Sequence, residues 1–332
     1  MKILLIRNDK LGDFILAWPA VALLKHYLPD CHITMLLPPY TAALAPLSTM
    51  IDAVLIDSGQ GVWALQRQLR EQRFDAVITL FSTGRVALAT ALARIPYRLA
   101  PATKWAQLLY NQRLTQRRSR SLKPEYAYNC DLVDRFLRDI GLQPASESAD
   151  EWLPSELQRP LLRYAAVMKT DTTVKTVVIH PGSGGSAGRL PPPHYAALVR
   201  AIATKWPVQI WLTAGSPDEQ QLAQQLAALL PKLSSQVVMP ADLPQLVALL
   251  AGADLFIGSS SGPLHLAGAL NSATIAFYPG HRSATPLRWQ SLNSADRRLH
   301  FTPPAAAEQQ VAAIDMAAAT RAALDFLQRL WG

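Results

Sequence analysis

The stretch KILLIRNDKLGD, residues 2–13, decides the fold. Residues 2–7 (KILLIR) form a short, nearly continuous apolar run, as expected for a strand buried on both faces. A polar turn from Asn8 to Asp13 follows, then a helix-like stretch from about Phe14 to Leu28. Pro29-Asp30 ends that helix, and Cys31–Leu37 reads as a second strand. Further out, Ala53–Ile56 and Ala76–Leu80 are strand candidates with helical segments between them. Alternating strand and helix argues for a parallel sheet covered by helices.

The pattern is irregular from Pro96 to Pro124 and helical around Tyr128–Ile140, and residues 143–173 read as a polar connection. The alternation then restarts, with strands expected at Thr176–His180, Val208–Thr213, Val237-Val238, Asp254–Ile257 and, last, Thr274–Phe277. Helices are expected at His194–Lys205, Glu219–Leu230, Leu243–Ala251, Gly262–Leu270 and Ala312–Leu330. The expected class is α/β: two Rossmann-like domains facing one another, residues 1–160 and 171–310. A terminal helix within 311–332 is expected to pack back on the first domain. Ligands of such sheets bind beyond the carboxyl ends of the strands, so function belongs in the loops after each strand.

Composition agrees with a folded chain of this size. Of 332 residues, half are hydrophobic and 17% charged, which excludes disordered and collagen-like classes. At roughly 150 residues per domain, the length fits two domains. Lysine and arginine (32) exceed aspartate and glutamate (24), for a net charge of +8. Two cysteines, Cys31 and Cys130, make neither a disulfide framework nor a zinc site, and a reducing compartment is expected. Charges follow the first apolar run at once, so no signal-peptide core is present, and no apolar stretch reaches the ~18–20 residues of a spanning helix. A cytoplasmic location is the expectation.

Four loops and one basic segment carry the candidate chemistry. Asp13 stands at the start of the first helix, where an acid either supports the helix dipole or serves as a carboxylate that accepts a proton from a hydroxyl. Asp9 is a second acid in the same turn. The loop HPGSGGSAGR, residues 180–189, is either a flexible connection or an anion cradle of backbone N–H groups with Arg189 as a fixed charge. It is no dinucleotide fingerprint, because Pro191-Pro192-Pro193 interrupt the helix that motif needs. Glu219 after Ala214-Gly215-Ser216 is either a first-turn cap or an acceptor for ribose hydroxyls. In DLFIGSSSGPLHLAGAL, residues 254–270, a strand runs into a hydroxyl-rich turn and a helix that opens on Gly-Pro. The segment is either a well-capped core helix with a buried His265 or an anion site, ideally for a diphosphate, addressed by the helix start and His265. Residues 94–124 hold Arg94, Arg98, Lys104, Arg113, Arg117, Arg118, Arg120 and Lys123 with no acid, a concentration that steers anionic partners. Nucleic acid is the least favoured of these, since no binding module accompanies the segment. No Asp-x-Asp or His-x-x-x-His pair offers a metal cage, and no Gly-x-Ser-x-Gly elbow is present.

Gly12-Asp13 after the first strand, His180-Pro181-Gly182 and Ser261-Gly262-Pro263-Leu264-His265-Leu266-Ala267, in this order, resemble the ADP-heptose:lipopolysaccharide heptosyltransferases, glycosyltransferase family 9, over nearly the whole chain. The resemblance implies a GT-B fold and inverting, metal-independent transfer of heptose from ADP-heptose to a lipopolysaccharide inner-core acceptor, with no cofactor. It places Asp13 at the position of the catalytic base. It puts Ser183, Gly184, Arg189, Glu219, Ser260, Ser261, Gly262, Pro263 and His265 at donor positions of the second domain. The first domain then receives the acceptor, which suits Arg98, Lys104, Arg113, Arg117, Arg118 and Arg120, and association with the inner-membrane surface is implied. Two departures stand out. Ser260 replaces a common Asp, and Gly188-Arg189-Leu190-Pro191 replaces a common Lys-x-Trp-Pro, leaving Arg189 to supply the cation from one position along. The alternatives are another nucleotide sugar, such as a hexosamine donor, a binding protein without turnover, and, least favoured, a nicotinamide-dependent oxidoreductase.

Overall fold

Strand β1, Lys2–Ile6, has Ile3 through Ile6 fully buried because it lies in the middle of a sheet. Its Leu4 is in register with Thr34 of β2 (His32–Leu37) on one side and with Val77 of β4 (Ala76–Thr79) on the other. The computed structural model describes residues 1–103, 105–144, 173–183 and 188–332. Most of the connection expected at 143–173, together with Lys104 and Gly184, lies outside the described residues. The chain forms two compact units, Met1–Pro160 and Leu161–Gly332.

The first unit's sheet is parallel, with order β3-β2-β1-β4-β5-β6, where β3 is Ala53–Ile56, β5 Tyr97–Pro101 and β6 Gln112–Leu114. The second unit repeats that winding with β7 (Lys175–His180), β8 (Val208–Thr213), β9 (Ser235–Val238), β10 (Leu255–Ser259), β11 (Ala273–Phe277) and β12 (Arg298–Phe301). Its order is β12-β11-β10-β7-β8-β9, again parallel throughout. In each unit the first strand lies beside the fourth, and the winding reverses there. The crevice at that reversal is where doubly wound sheets bind ligands.

The helices of the first unit are α1 (Leu11–Ile15), α2 (Trp18–Tyr27), α3 (Pro39–Ala42), α4 (Val62–Gln72), α5 (Gly84–Leu92) and α6 (Glu125–Asp139). Those of the second are α7 (Pro192–Ala203), α8 (Pro217–Ala228), α9 (Leu243–Ala251), α10 (Gly262–Ala269) and α11 (Met316–Trp331). The single helix expected from Phe14 to Leu28 is two, because Pro19 has no N–H to continue the ladder. Asn129 of α6 caps the break, donating from Nδ2 to the Leu16 carbonyl at 2.9 Å.

Two expectations are corrected. The irregular stretch 96–124 contains β5 and β6, and β12 follows the strand expected to be last. The terminal helix buries Ala319, Ala323, Phe326 and Leu327 in the second unit's own core, with Trp331 edge-on to Trp206 at 5.3 Å. Cys31 and Cys130 are buried and form no disulfide among the described residues. Among the described residues no helix is long and apolar enough to cross a membrane.

Candidate functional site

At the crevice of the first unit, the chain leaves the buried end of β1 at Arg7. The guanidinium is 2% exposed and gathers acids from two elements. Its Nε donates to Asp9 Oδ1 at 2.9 Å, Nη1 to Glu125 Oε1 at 3.1 Å and Asn129 Oδ1 at 3.3 Å, and Nη2 to Asp13 Oδ1. Burial works against that charge, yet Asp13, Asp9 and Glu125 hold the guanidinium pKa above its ordinary value. Arg118 joins the group, with Nη1 donating to Glu125 Oε1 at 2.7 Å and to the Leu80 carbonyl at 3.3 Å. Two arginines thus meet three carboxylates. The surplus negative charge falls on Asp9: burial, and next the neighbouring Asp13, push its pKa up to about 7 against the pull of Arg7. Asp13 is in the first turn of α1 and its side chain is 13% exposed, which leaves an edge open to a substrate.

Beside this cluster, Asp57 at the end of β3 takes bonds from Asn8 and from Arg85 Nη2, the latter at 2.6 Å. These bonds overcome burial and hold its carboxyl below the usual range. Tyr40 donates to the Asp9 carbonyl at 2.8 Å. The loops after β1, β2 and β3 are therefore tied together around the crevice.

The acceptor residues expected in the basic segment divide. Arg98 is only the second residue of β5, and its guanidinium donates to the Ile95 carbonyl at 2.7 Å and the Leu109 carbonyl at 3.3 Å. It staples the chain on the wrong side of the strand for a ligand at the carboxyl edge, which corrects its assignment. Arg118 belongs to the Glu125 cluster and also donates to Gln116 Oε1, so it is no free cation either. Arg113, Arg117 and Arg120 are exposed.

In the second unit the crevice lies between the loops after β7 and β10. His180 Nδ1 is 3.1 Å from Thr213 Oγ1, and its Nε2 is 3.6 Å from Glu219 Oε1. Glu219 Oε2 accepts from the Gly215 N–H at 2.8 Å. His180, acting against burial, holds the Glu219 pKa below its ordinary value, so the group is an anionic acceptor. A Cβ at 182 would run into the Glu219 carboxylate, so the glycine leaves that side chain its place. Ser183 is buried and Arg189 exposed.

After β10 the chain passes Ser259, Ser260 and Ser261 into α10, with Pro263 in its first turn. Ser261 stands at the N-cap without bonding the helix. Its Oγ is buried with no hydrogen-bond partner among the described residues. A buried hydroxyl without a partner is costly, and a ligand oxygen would satisfy it. His265 is corrected in one respect. It is buried in the helix, edge-on to Trp289, and burial pushes its imidazole down to about 4. It is neutral at ordinary pH and offers a hydrogen bond rather than a charge. Its Nδ1 is likewise buried without a partner among the described residues.

No group of three or more metal-ligating side chains occurs among the described residues. Arg7, Glu125 and Asn129 were not singled out from the sequence. The available signals were an arginine ending an otherwise apolar strand, and a Pro-Glu pair closing a long acid-free stretch.

The family profile described as glycosyltransferase family 9 (heptosyltransferase) matches residues 62–313. The chain is 43% identical over 320 residues to a Haemophilus influenzae protein named "Putative glycosyltransferase", covering 93% of this chain and 91% of that one. It is 26% identical to lipopolysaccharide heptosyltransferase 2 of Salmonella typhimurium over 86% of this chain and 85% of that one. The solved structure of Escherichia coli ADP-heptose lipopolysaccharide heptosyltransferase II superposes with a TM-score of 0.77 at 18% identity, covering 100% of both chains. The two doubly wound sheets are those of a GT-B glycosyltransferase. This chain belongs to glycosyltransferase family 9, and it is a glycosyltransferase enzyme.

Proposed function

We propose that the chain transfers heptose from ADP-heptose to the inner core of a lipopolysaccharide acceptor, with inversion and without a metal, at the cytoplasmic surface of the inner membrane. Relatives and a fold neighbour bear names with that donor and acceptor chemistry. The observation that carries the reaction is the Asp13 carboxylate held by Arg7 at the first unit's crevice. Asp13 takes the proton of the acceptor hydroxyl as that oxygen bonds to the anomeric carbon. The bond from this carbon to the diphosphate breaks, and ADP leaves with the electron pair. Once Asp13 is protonated, Arg7 is still balanced by Asp9 and Glu125, so proton uptake strands no buried charge. The leaving diphosphate is met by the N-terminus of α10, the Ser261 hydroxyl and the Arg189 cation, which supply the charge stabilisation a metal gives elsewhere. Glu219 accepts from ribose hydroxyls. Arg113, Arg117 and Arg120 attract the anionic acceptor.

Asp13→Asn is expected to lower transfer by about 10²–10⁴-fold, the usual range for general-base help, while ADP affinity stays nearly intact. Equal losses in both would remove Asp13 from the base role. Product anomeric configuration by NMR tests inversion, and activity in excess EDTA tests metal independence. Ser260, an uncharged acceptor, favours a second reading in which the transferred sugar differs from heptose. Product mass across a panel of nucleotide sugars decides between them.

A further inference from the structure

Strand residues alternate in facing, and β11 uses its two faces differently. Ile275 and Phe277 point into the apolar core of the second unit. Thr274 and Ala276 point the other way, in register with Arg298 and His300 of β12. Between these side chains and the segment from Pro286 to Ser291 lies a cavity of about 190 Å³. An apolar cavity of about 150 Å³ admits benzene, so this one has room for a body of that size. Leu287 and His300 are exposed and mark its mouth, and the His300 ring stands edge-on to Tyr278 at 6.2 Å. None of the lining residues belongs to the loops after β7 and β10, so the cavity is apart from the crevice described above.

The walls of this cavity are tied in place. Asn293 donates from Nδ2 to the Ser272 carbonyl at 3.0 Å, Thr274 Oγ1 at 2.9 Å and the Arg297 carbonyl at 2.8 Å. Its Oδ1 accepts from Ser291 Oγ at 2.7 Å. Arg298 Nη1 donates to the Asn293 carbonyl at 2.8 Å and to the Ser291 carbonyl at 3.3 Å. The guanidinium is thus held at the cavity before a ligand arrives, which lowers the ordering cost of binding. Those two partners are carbonyls, and among the described residues no carboxylate lines the cavity. Thr274 is 1% exposed; its oxygen accepts from Asn293, which leaves its own O–H to donate. Ala276, Pro286 and Leu287 supply an apolar flank. A fixed cation and a hydroxyl donor beside apolar side chains complement a carboxylate on a compact apolar body. We propose that this cavity binds a small organic carboxylate, at a site separate from the donor crevice. The segment that closes it also backs α10: the Trp289 ring is edge-on to His265 at 6.5 Å, and a Cβ on Gly268 would meet Ser291 and Leu292. Because the two sites share that segment as a wall, simultaneous occupancy is what distinguishes them.

The test is titration calorimetry of the full chain with benzoate, and with benzamide as its uncharged match. Benzoate is expected to bind as a single molecule per chain, and benzamide about tenfold more weakly, the difference a charged acceptor makes. Arg298→Met is expected to weaken benzoate by about the same factor. Ala276→Leu fills the cavity and leaves Arg298 in place, so it reads the site even if Arg298→Met does not fold. It is expected to abolish benzoate binding while thermal unfolding and ADP affinity stay unchanged. Saturating ADP is expected not to displace benzoate. No benzoate binding, equal binding of benzamide, or binding that survives Ala276→Leu overturns the proposal. Displacement of benzoate by ADP overturns it too, and assigns the benzoate to the donor crevice. Benzoate binding to a chain that transfers no sugar overturns the proposed function and leaves this site standing.

Discussion

The two crevices share one architecture and opposite chemistry. Each lies where the first and fourth strands of a parallel six-stranded sheet part, at β1 and β4 in one unit and at β7 and β10 in the other. In the first, three carboxylates crowd around Arg7. In the second, the turn before α10 brings hydroxyls, a neutral histidine and free helix N–H groups. The winding fixes where a ligand binds, and a few loop residues fix which charge it carries.

The sharpest way to break the contrast is Arg7→Met. It leaves three acids clustered without their cation, and about 3–5 kcal/mol of stability is expected to go, read by denaturant unfolding, with transfer lost. Next is Gly182→Ala, whose methyl displaces Glu219. ADP affinity measured by calorimetry is expected to fall about tenfold, the value of one good polar contact, while the first unit's unfolding is unchanged. Ser261→Ala is smaller and splits two readouts. The free protein keeps or gains stability because an unpartnered buried hydroxyl is removed, yet ADP binding weakens about threefold to tenfold.

The last contrast is in pH dependence, where the two sites oppose one another. Asp9 has its pKa raised to about 7, so the folded state holds a proton that the unfolded chain has lost, and its contribution falls as pH rises from about 4 to 7. His265 has its pKa lowered to about 4, so the unfolded chain takes the extra proton, and its contribution rises with pH between about 4 and 6.5. Asp9→Asn is expected to steepen the gain in melting temperature across that window, and His265→Phe to flatten it. A parallel response of both variants would mean that one of the two groups is not buried in its native charge state.

Central strands were legible because burial on both faces writes an unbroken apolar run, as in β1 and β10. The edge strands β6 (QRL) and β12 (RLHF) were missed because they have a neighbour on one side only and carry polar residues. Pro19 did signal the split between α1 and α2, but the apolar spacing masked it. Asp13, Glu219 and Ser261 were legible because each follows its strand within a few residues. The Arg7 cluster was not, since Glu125 and Asn129 are 118 and 122 positions away. The free cations of the basic segment were overcounted for another reason: Arg118 pairs with Glu125, just beyond the end of the acid-free stretch, and the partners of Arg98 are carbonyls, which a count of acids does not register.

The bond from Asn129 to Leu16, beside those from Arg7 to Asn129 and Glu125, constrains how this enzyme can be recombined with its relatives. A chimera that exchanges the first sixty residues alone would separate the loop bearing Asp13 from the helix that braces it. A crossover placed after α6, near residue 140, keeps lock and key from the same parent.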